Sequence, residues 1–277
     1  MDRALPQRVV RRLHSRGRDR AVHRRPGRLA RRVLPGIIPA VLLFYIRLKA
    51  QEPERWLKKK QQLGPKLSMS NSLRTIFDRD HRRDTIVLSL IMVPVITGLY
   101  GGTLFVPTAL TTLHDQLGIS MKAPYLIAIG GSIVAGFTLV TCLIVPRLAD
   151  RFGRRGTLAM LMGCMAVGLP LVFLWAFQSG DLTLLLVLLV LLGIGGADFA
   201  VFSLWLPEVY PTEARAGGFA FVTTVGRLAG AGLTFAIGAM NDAIGLGKSL
   251  SLTAIFFVIG LLLLSLAREG RRRLAPE

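Results

Sequence analysis

Asp198 and Arg227 stand inside long uncharged runs, in Gly193-Ile-Gly-Gly-Ala-Asp198-Phe-Ala and Thr223-Thr-Val-Gly226-Arg227-Leu-Ala-Gly230. Charges buried in apolar segments are costly and rare, and they face a bundle interior or a ligand pathway. Asp198 falls eight residues from Leu206, about 12 Å along a helix, and Arg227 ten residues from Gly217, about 15 Å. On consecutive antiparallel helices those depths permit a salt bridge. Two readings stay open: a mutually neutralising pair that fixes helix packing, or a substrate anchor or proton site.

A second candidate lies in Gly98-Leu-Tyr100-Gly101-Gly102-Thr103, flanked by Pro94 and Pro107. Such a helix is expected to kink or unwind and free backbone groups for a ligand. Tyr100 could stack on a substrate or hydrogen-bond to it, or simply pack, and Thr103 offers a hydroxyl beside it. The small-residue spacings Ser132-xxx-Gly136 and Gly226-xxx-Gly230 read as close helix contacts rather than sites. No phosphate-binding loop and no Ser-His-Asp set is present. The four histidines, His14, His23, His81 and His114, are scattered, and Cys142 and Cys164 lie within apolar runs. Neither pattern holds a metal or builds a disulfide framework. No cofactor is expected, and the chain does not read as an enzyme or an ATP-driven pump.

The elements that position these residues follow from composition. Of 277 residues, 52% are hydrophobic, the formal net charge is +19, and mean hydropathy is +0.51. Several uncharged runs reach the roughly 20 residues that a membrane-spanning helix needs. They are continuous and Leu-rich, which excludes an alternating β-barrel pattern. The fold class is an all-α polytopic membrane protein. Five full spans are expected at Thr85–Leu110, Ala123–Pro146, Gly156–Phe177, Leu182–Leu206 and Gly217–Met240, and a last span at Ser249–Ala267, together forming a helix bundle over 85–267. The shorter apolar stretch Leu34–Leu48 reads as a truncated first span. Residues 49–84 form a polar linker with helical pieces at Glu52–Leu63 and Ser70–Asp80, and 268–277 form a tail.

Residues 1–33 hold twelve arginines and two acids. The composition reads as disordered, with anionic lipid headgroups the expected contact and no nucleic acid required. Out-of-frame reading of GC-rich DNA yields the same composition, so a frameshifted or misassigned start is a further expectation. Lys and Arg alternate between loops, rich at 49–84, 147–155 and 268–273 and sparse between. That bias puts the linker and C-terminus in the cytoplasm. Trp56, Trp175 and Trp205 fall at helix ends, as interfacial anchors.

Three loop motifs carry a resemblance. The first is Asp150-Arg151-Phe-Gly153-Arg154-Arg155, preceded by Pro146. A carboxylate at that turn can cap a helix N-terminus and bind arginines, and the glycine lets the turn close. The second is Pro207-Glu208-Val-Tyr-Pro211-Thr-Glu-Ala-Arg215 and the third Gln51-Glu52-Pro53-Glu54-Arg55-Trp56. In this order they resemble loop signatures of the major facilitator superfamily, in its sugar-porter and organic-ion subgroup. The family usually has a glycine where Pro146 stands.

The resemblance implies a six-helix half of that bundle, family helices seven to twelve, preceded by the end of helix six as the truncated span, with Asp150, Arg151, Gly153, Arg154, Arg155, Glu208 and Arg215 in gating loops. It implies secondary, proton-coupled, alternating-access transport of a small sugar or organic acid in a bacterial inner membrane. It also implies a partner for this half, either a missing N-terminal half or a second copy. The alternative is a non-transporting half-protein that acts only by assembly.

Overall fold

The computed structural model describes residues 41–46, 48 and 69–267. The chain divides into two units, Met1–Gln62 and Leu63–Glu277. In the first, residues 41–46 and 48 are helical, within the expected short span. The basic segment 1–33, the Gln51–Trp56 motif, the expected helix Glu52–Leu63 and the tail 268–277 lie outside the described residues.

In the second unit every described element is helical. The order is α1 Met69–Ile76, α2 Arg82–Gly98, α3 Val106–Leu117, α4 Ala123–Pro170, α5 Phe177–Ser179, α6 Leu182–Gly195, α7 Asp198–Val209, α8 Arg215–Ile244, α9 Leu246–Leu252 and α10 Ala254–Leu264. Two π-helical segments, Leu99–Leu104 and Leu171–Ala176, continue α2 and α4 without a break. Five helical runs are long and apolar enough to cross a membrane, one of them the 57-residue Ala123–Ser179. A straight run of that length would reach about 85 Å, far beyond a ~30 Å hydrocarbon core.

It does not run straight. Gly153 adopts φ 80° and ψ 163° inside α4, a conformation essentially closed to side chains with a Cβ. Both legs then fold back onto the same neighbour. A Cβ placed at Gly193 would lie 2.9 Å from the Val134 carbonyl, and one at Gly195 would lie 2.6 Å from Met165 Cγ. Val134 precedes Gly153 and Met165 follows it, so Ala123–Ser179 is two helices folded back side by side rather than one, and each of the six stretches expected to span is helical.

Side chains sort accordingly. Leu110, Met162, Phe173, Leu189, Phe202, Phe257 and their neighbours form one buried core, while Leu139, Leu143, Val187 and Phe235 stand exposed. Exposed apolar side chains at membrane depth are solvated by lipid. The seams follow small residues. Gly226 and Gly230 of α8 receive Met92, Ile96 and Tyr100, which bears out the expected contact. At Gly136, by contrast, an added Cβ meets nothing within 4 Å, and Ser132 is exposed. That second spacing is no helix seam among the described residues.

The chain before α2 is pinned. Ser72 donates to the Glu213 carbonyl at 3.0 Å, Thr85 to the Ile76 carbonyl at 2.7 Å, and Tyr210 Oη to Thr85 Oγ1 at 3.0 Å. Burial pushes the Tyr210 phenol above its ordinary range, so it keeps the proton that it donates. Phe77 meets Phe221 edge to face at 5.0 Å, a geometry that aromatic pairs favour.

Candidate functional site

At one end of the bundle, two of the sequence motifs converge on Arg154. Its Nε donates to Glu208 at 3.0 and 3.2 Å, and its Nη2 donates to Oε1 of the same carboxylate at 2.7 Å. Nη1 donates to the Ala149 carbonyl and to Asp150 Oδ1, both at 3.1 Å. The Arg154 and Glu208 side chains are 14% and 17% exposed, whereas Asp150 is 73% exposed. The inner carboxylate is therefore the stronger partner, since screening by water is least there. Gly153 makes this possible by turning the chain directly before Arg154. Charge-assisted, side-on pairing of this kind holds geometry as well as energy.

The remaining loop residues brace the same end. Arg155 Nη1 donates to the Ala267 carbonyl at 3.4 Å, tying the turn to the end of the last crossing. Arg215 Nε donates to the Tyr210 carbonyl at 3.2 Å within its own loop. Arg151 is exposed and lies 5.4 Å over the Phe152 ring. Asp150 thus binds an arginine, as expected. The helix that follows the Glu208 loop, α8, carries no side-chain cap at Ala214.

Deeper in the bundle, the crossing after Asp181 is discontinuous. Gly196 and Ala197 separate α6 from α7, and sequence reading missed this break. Its signal was the Gly193-Ile-Gly-Gly cluster, since glycine weakens a helix interior. The break is wedged tightly: a Cβ at Gly196 would lie 3.2 Å from Thr138 Oγ1, and Thr138 donates to the Gly193 carbonyl at 2.8 Å. Asp198 opens α7 and is 1% exposed, with neither carboxylate oxygen hydrogen-bonded. The positive end of the α7 dipole faces it.

Arg227 does not pair with Asp198. It is exposed on α8, and both Asp198 oxygens lack partners. The register explains this. Phe199 meets Phe219 at 6.3 Å, so the start of α7 packs against the first turns of α8. Arg227 stands eight residues further on, about 12 Å along the helix. It also points away from the seam: Gly226 faces α2, and the next residue is rotated about 100°.

Tyr100 is half-buried, and its ring covers Gly230, one turn from Arg227. It is thus the candidate that the fold brings closest in register to Arg227. Thr103 is also half-buried, and its hydroxyl donates to the Leu99 carbonyl. The expected unwinding here is instead a π-helical widening, Leu99–Leu104, and Thr103 occupies one carbonyl of that segment. Trp205 is corrected as an interfacial anchor. It is fully buried beside Phe202 with its indole nitrogen unpartnered. Trp175 is 57% exposed, as an anchor should be, and Trp56 lies outside the described residues. Among those residues no group of three or more metal-ligating side chains occurs.

Comparison with known proteins gives a consistent answer. The chain is 27% identical over 234 residues to a probable 4-methylmuconolactone transporter of Cupriavidus pinatubonensis, covering 83% of this chain and 51% of that protein. It is 27% identical over 240 residues to a cis,cis-muconate transport protein of Acinetobacter baylyi, covering 82% and 54%. An inner membrane metabolite transport protein of Escherichia coli is 27% identical over 248 residues, covering 87% and 54%. The chain spans about half the length of the curated relatives it matches. The profile of the Major Facilitator Superfamily matches residues 33–234, well over half of the sequence, and its relatives are transporters rather than enzymes. With a helical bundle long and apolar enough to cross a membrane and two charged residues set within it, the chain is a membrane protein that belongs to the Major Facilitator Superfamily.

Proposed function

We propose that this chain forms one wall of a secondary transporter for small organic acids, with Arg227 receiving the substrate carboxylate and Asp198 carrying a coupling proton. The observation that carries this reading is the separation of the two charges. Arg227 is an exposed cation on α8, twelve residues past its start, and so about 18 Å along the helix. A guanidinium at that depth needs an anion, and it matches a carboxylate in shape and charge. The relatives' names, a muconate transport protein and a muconolactone transporter, favour an organic acid over a sugar. Tyr100, one turn away, is placed to contact an unsaturated acid.

Asp198 supports coupling. A buried ionised carboxylate without a counter-charge costs several kcal/mol, and a helix end returns at most about 2 kcal/mol. A proton removes the remainder. The Gly196–Ala197 break beside it is where the backbone can shift most cheaply, so access to Asp198 can alternate. The Arg154–Glu208 pair, which locks one end of the bundle, is the contact that such a shift would break and remake.

The opposing wall is proposed to come from a second six-helix half, on the same polypeptide or another, with the substrate site between the two halves near the bilayer midplane. The bacterial relatives support an inner-membrane location, and the lysine and arginine bias supports a cytoplasmic C-terminus. A second reading is favoured by the half-length match alone: a half-protein that acts only after assembly. Uptake of labelled cis,cis-muconate into vesicles carrying the chain, with the pH gradient imposed and then collapsed, separates the two. Gradient-dependent accumulation supports transport by the chain. Uptake that appears only when another half is co-expressed supports the second reading.

A further inference from the structure

At the end of the bundle opposite the Arg154 turn, an apolar groove of about 540 Å³ lies between the second leg of α4 and the α9–α10 pair. Ala166, Pro170 and Leu174 form one wall, and Ala254, Ile255 and Val258 form much of the other. The groove is elongated along the helices: Ala166 to Leu174 spans about 12 Å, and Lys248 to Val258 about 15 Å. Small side chains at Ala166 and Ala254 open it. Apart from Lys248 and Ser251, every lining residue is apolar, and the Ser251 hydroxyl is already committed to the Gly247 carbonyl at 2.7 Å.

Lys248 is exposed and forms no ion pair with any described carboxylate. Its depth can be read from its neighbours. A Cβ at Gly247 would lie 2.5 Å from the Phe173 carbonyl, two residues before the exposed Trp175. Exposed tryptophans mark the headgroup level, so Lys248 lies at that level and the groove descends from it toward the bilayer centre.

We propose that this groove binds one acyl chain of an anionic phospholipid whose phosphate rests on Lys248. The lining, the direction and the single cation at the headgroup end match a charged head above an apolar tail. A neutral tail would leave Lys248 unanswered, and a free phosphate would leave the groove unfilled.

Lipid binding to the purified full chain in detergent tests this, read by native mass spectrometry with dioleoylphosphatidylglycerol against dioleoylphosphatidylcholine. Phosphatidylglycerol is expected to bind in preference. Lys248→Gln should weaken its binding about fivefold and leave phosphatidylcholine unchanged. Ala254→Phe should reduce both lipids to background, and glycerol phosphate without a tail should not bind. A measurement on the unaltered chain guards against misfolded variants: phosphatidylglycerol with brominated chains should quench tryptophan fluorescence more than brominated phosphatidylcholine at equal content. Equal binding or equal quenching by the two lipids would overturn the proposal. So would an undiminished preference in Lys248→Gln, binding of glycerol phosphate alone, or a second protein copy found in the groove in place of lipid.

Discussion

Replacing Arg154 and Glu208 singly and together should reveal a strongly coupled pair. Three donor–acceptor contacts of 2.7 to 3.2 Å join them, with side chains 14% and 17% exposed. Hydrogen bonds to charged groups contribute about 1.5–3 kcal/mol, and a fully buried pair broken on one side costs about 3–5 kcal/mol. Partial exposure places this pair below the second range. Glu208→Ala should therefore cost about 2 kcal/mol. Arg154→Ala should cost about 3 kcal/mol, because the guanidinium also serves the Ala149 carbonyl and Asp150. In the double variant the shared contacts are counted once, so coupling should be about 1.5–2 kcal/mol. Reversible unfolding in mixed micelles, followed by circular dichroism, gives the four values. Asp150→Asn is the internal control: its carboxylate is 73% exposed, so it should cost under about 1 kcal/mol. Coupling below about 0.5 kcal/mol between Arg154 and Glu208, or an Asp150 effect as large as that of Glu208, would refute the reasoning.

Other outcomes follow from the same geometry. Gly153→Ala, forced into φ 80° and ψ 163°, should lose about 1–3 kcal/mol of stability in the same unfolding assay, whereas Gly136→Ala, with open space around it, should not. Because Asp198 and Arg227 do not touch, their single substitutions should add in the double variant within about 0.5 kcal/mol; mutual rescue would instead reveal a pair. In single-tryptophan variants, Trp205 should emit in the blue and resist quenching by aqueous iodide and brominated lipid alike, whereas Trp175 should be quenched by the lipid. Reporter fusions after Arg154 should read cytoplasmic and those after Leu117 and Gly245 external, and a cytoplasmic signal after Leu117 would reverse the topology.

Much of the fold was legible because lipid imposes a simple code. Uncharged runs of the required length mark the crossings, and Gly153 marks the turn between two of them even though the helix runs on past Pro146. The approach of Glu208 to Arg154 was foreshadowed only by the placement of both motifs in loops of like charge. What stayed hidden depends on rotation and register. Depth alone allowed an Asp198–Arg227 bridge. The angular position of Arg227 beside the Gly226–Gly230 seam argued against it, since adjacent residues on a helix diverge by about 100°. Trp205 lies near a helix end in sequence, yet it is buried because α7 turns that face toward the core. The glycines between Pro94 and Pro107 foretold a distortion at Leu99–Leu104 but not its π-helical form, and only Pro170 precedes the other π-helical segment.

The most direct test of the transport reading separates exchange from accumulation in Asp198→Asn and Arg227→Gln. Labelled cis,cis-muconate uptake would be measured in vesicles under a pH gradient and, separately, as counterflow against unlabelled acid. Asp198→Asn is expected to lose gradient-driven accumulation and keep counterflow, because a carboxamide cannot cycle a proton while substrate binding survives. Arg227→Gln is expected to lose both. Full accumulation by Asp198→Asn, or counterflow undiminished in Arg227→Gln, would contradict the assignment of proton and substrate to these two residues.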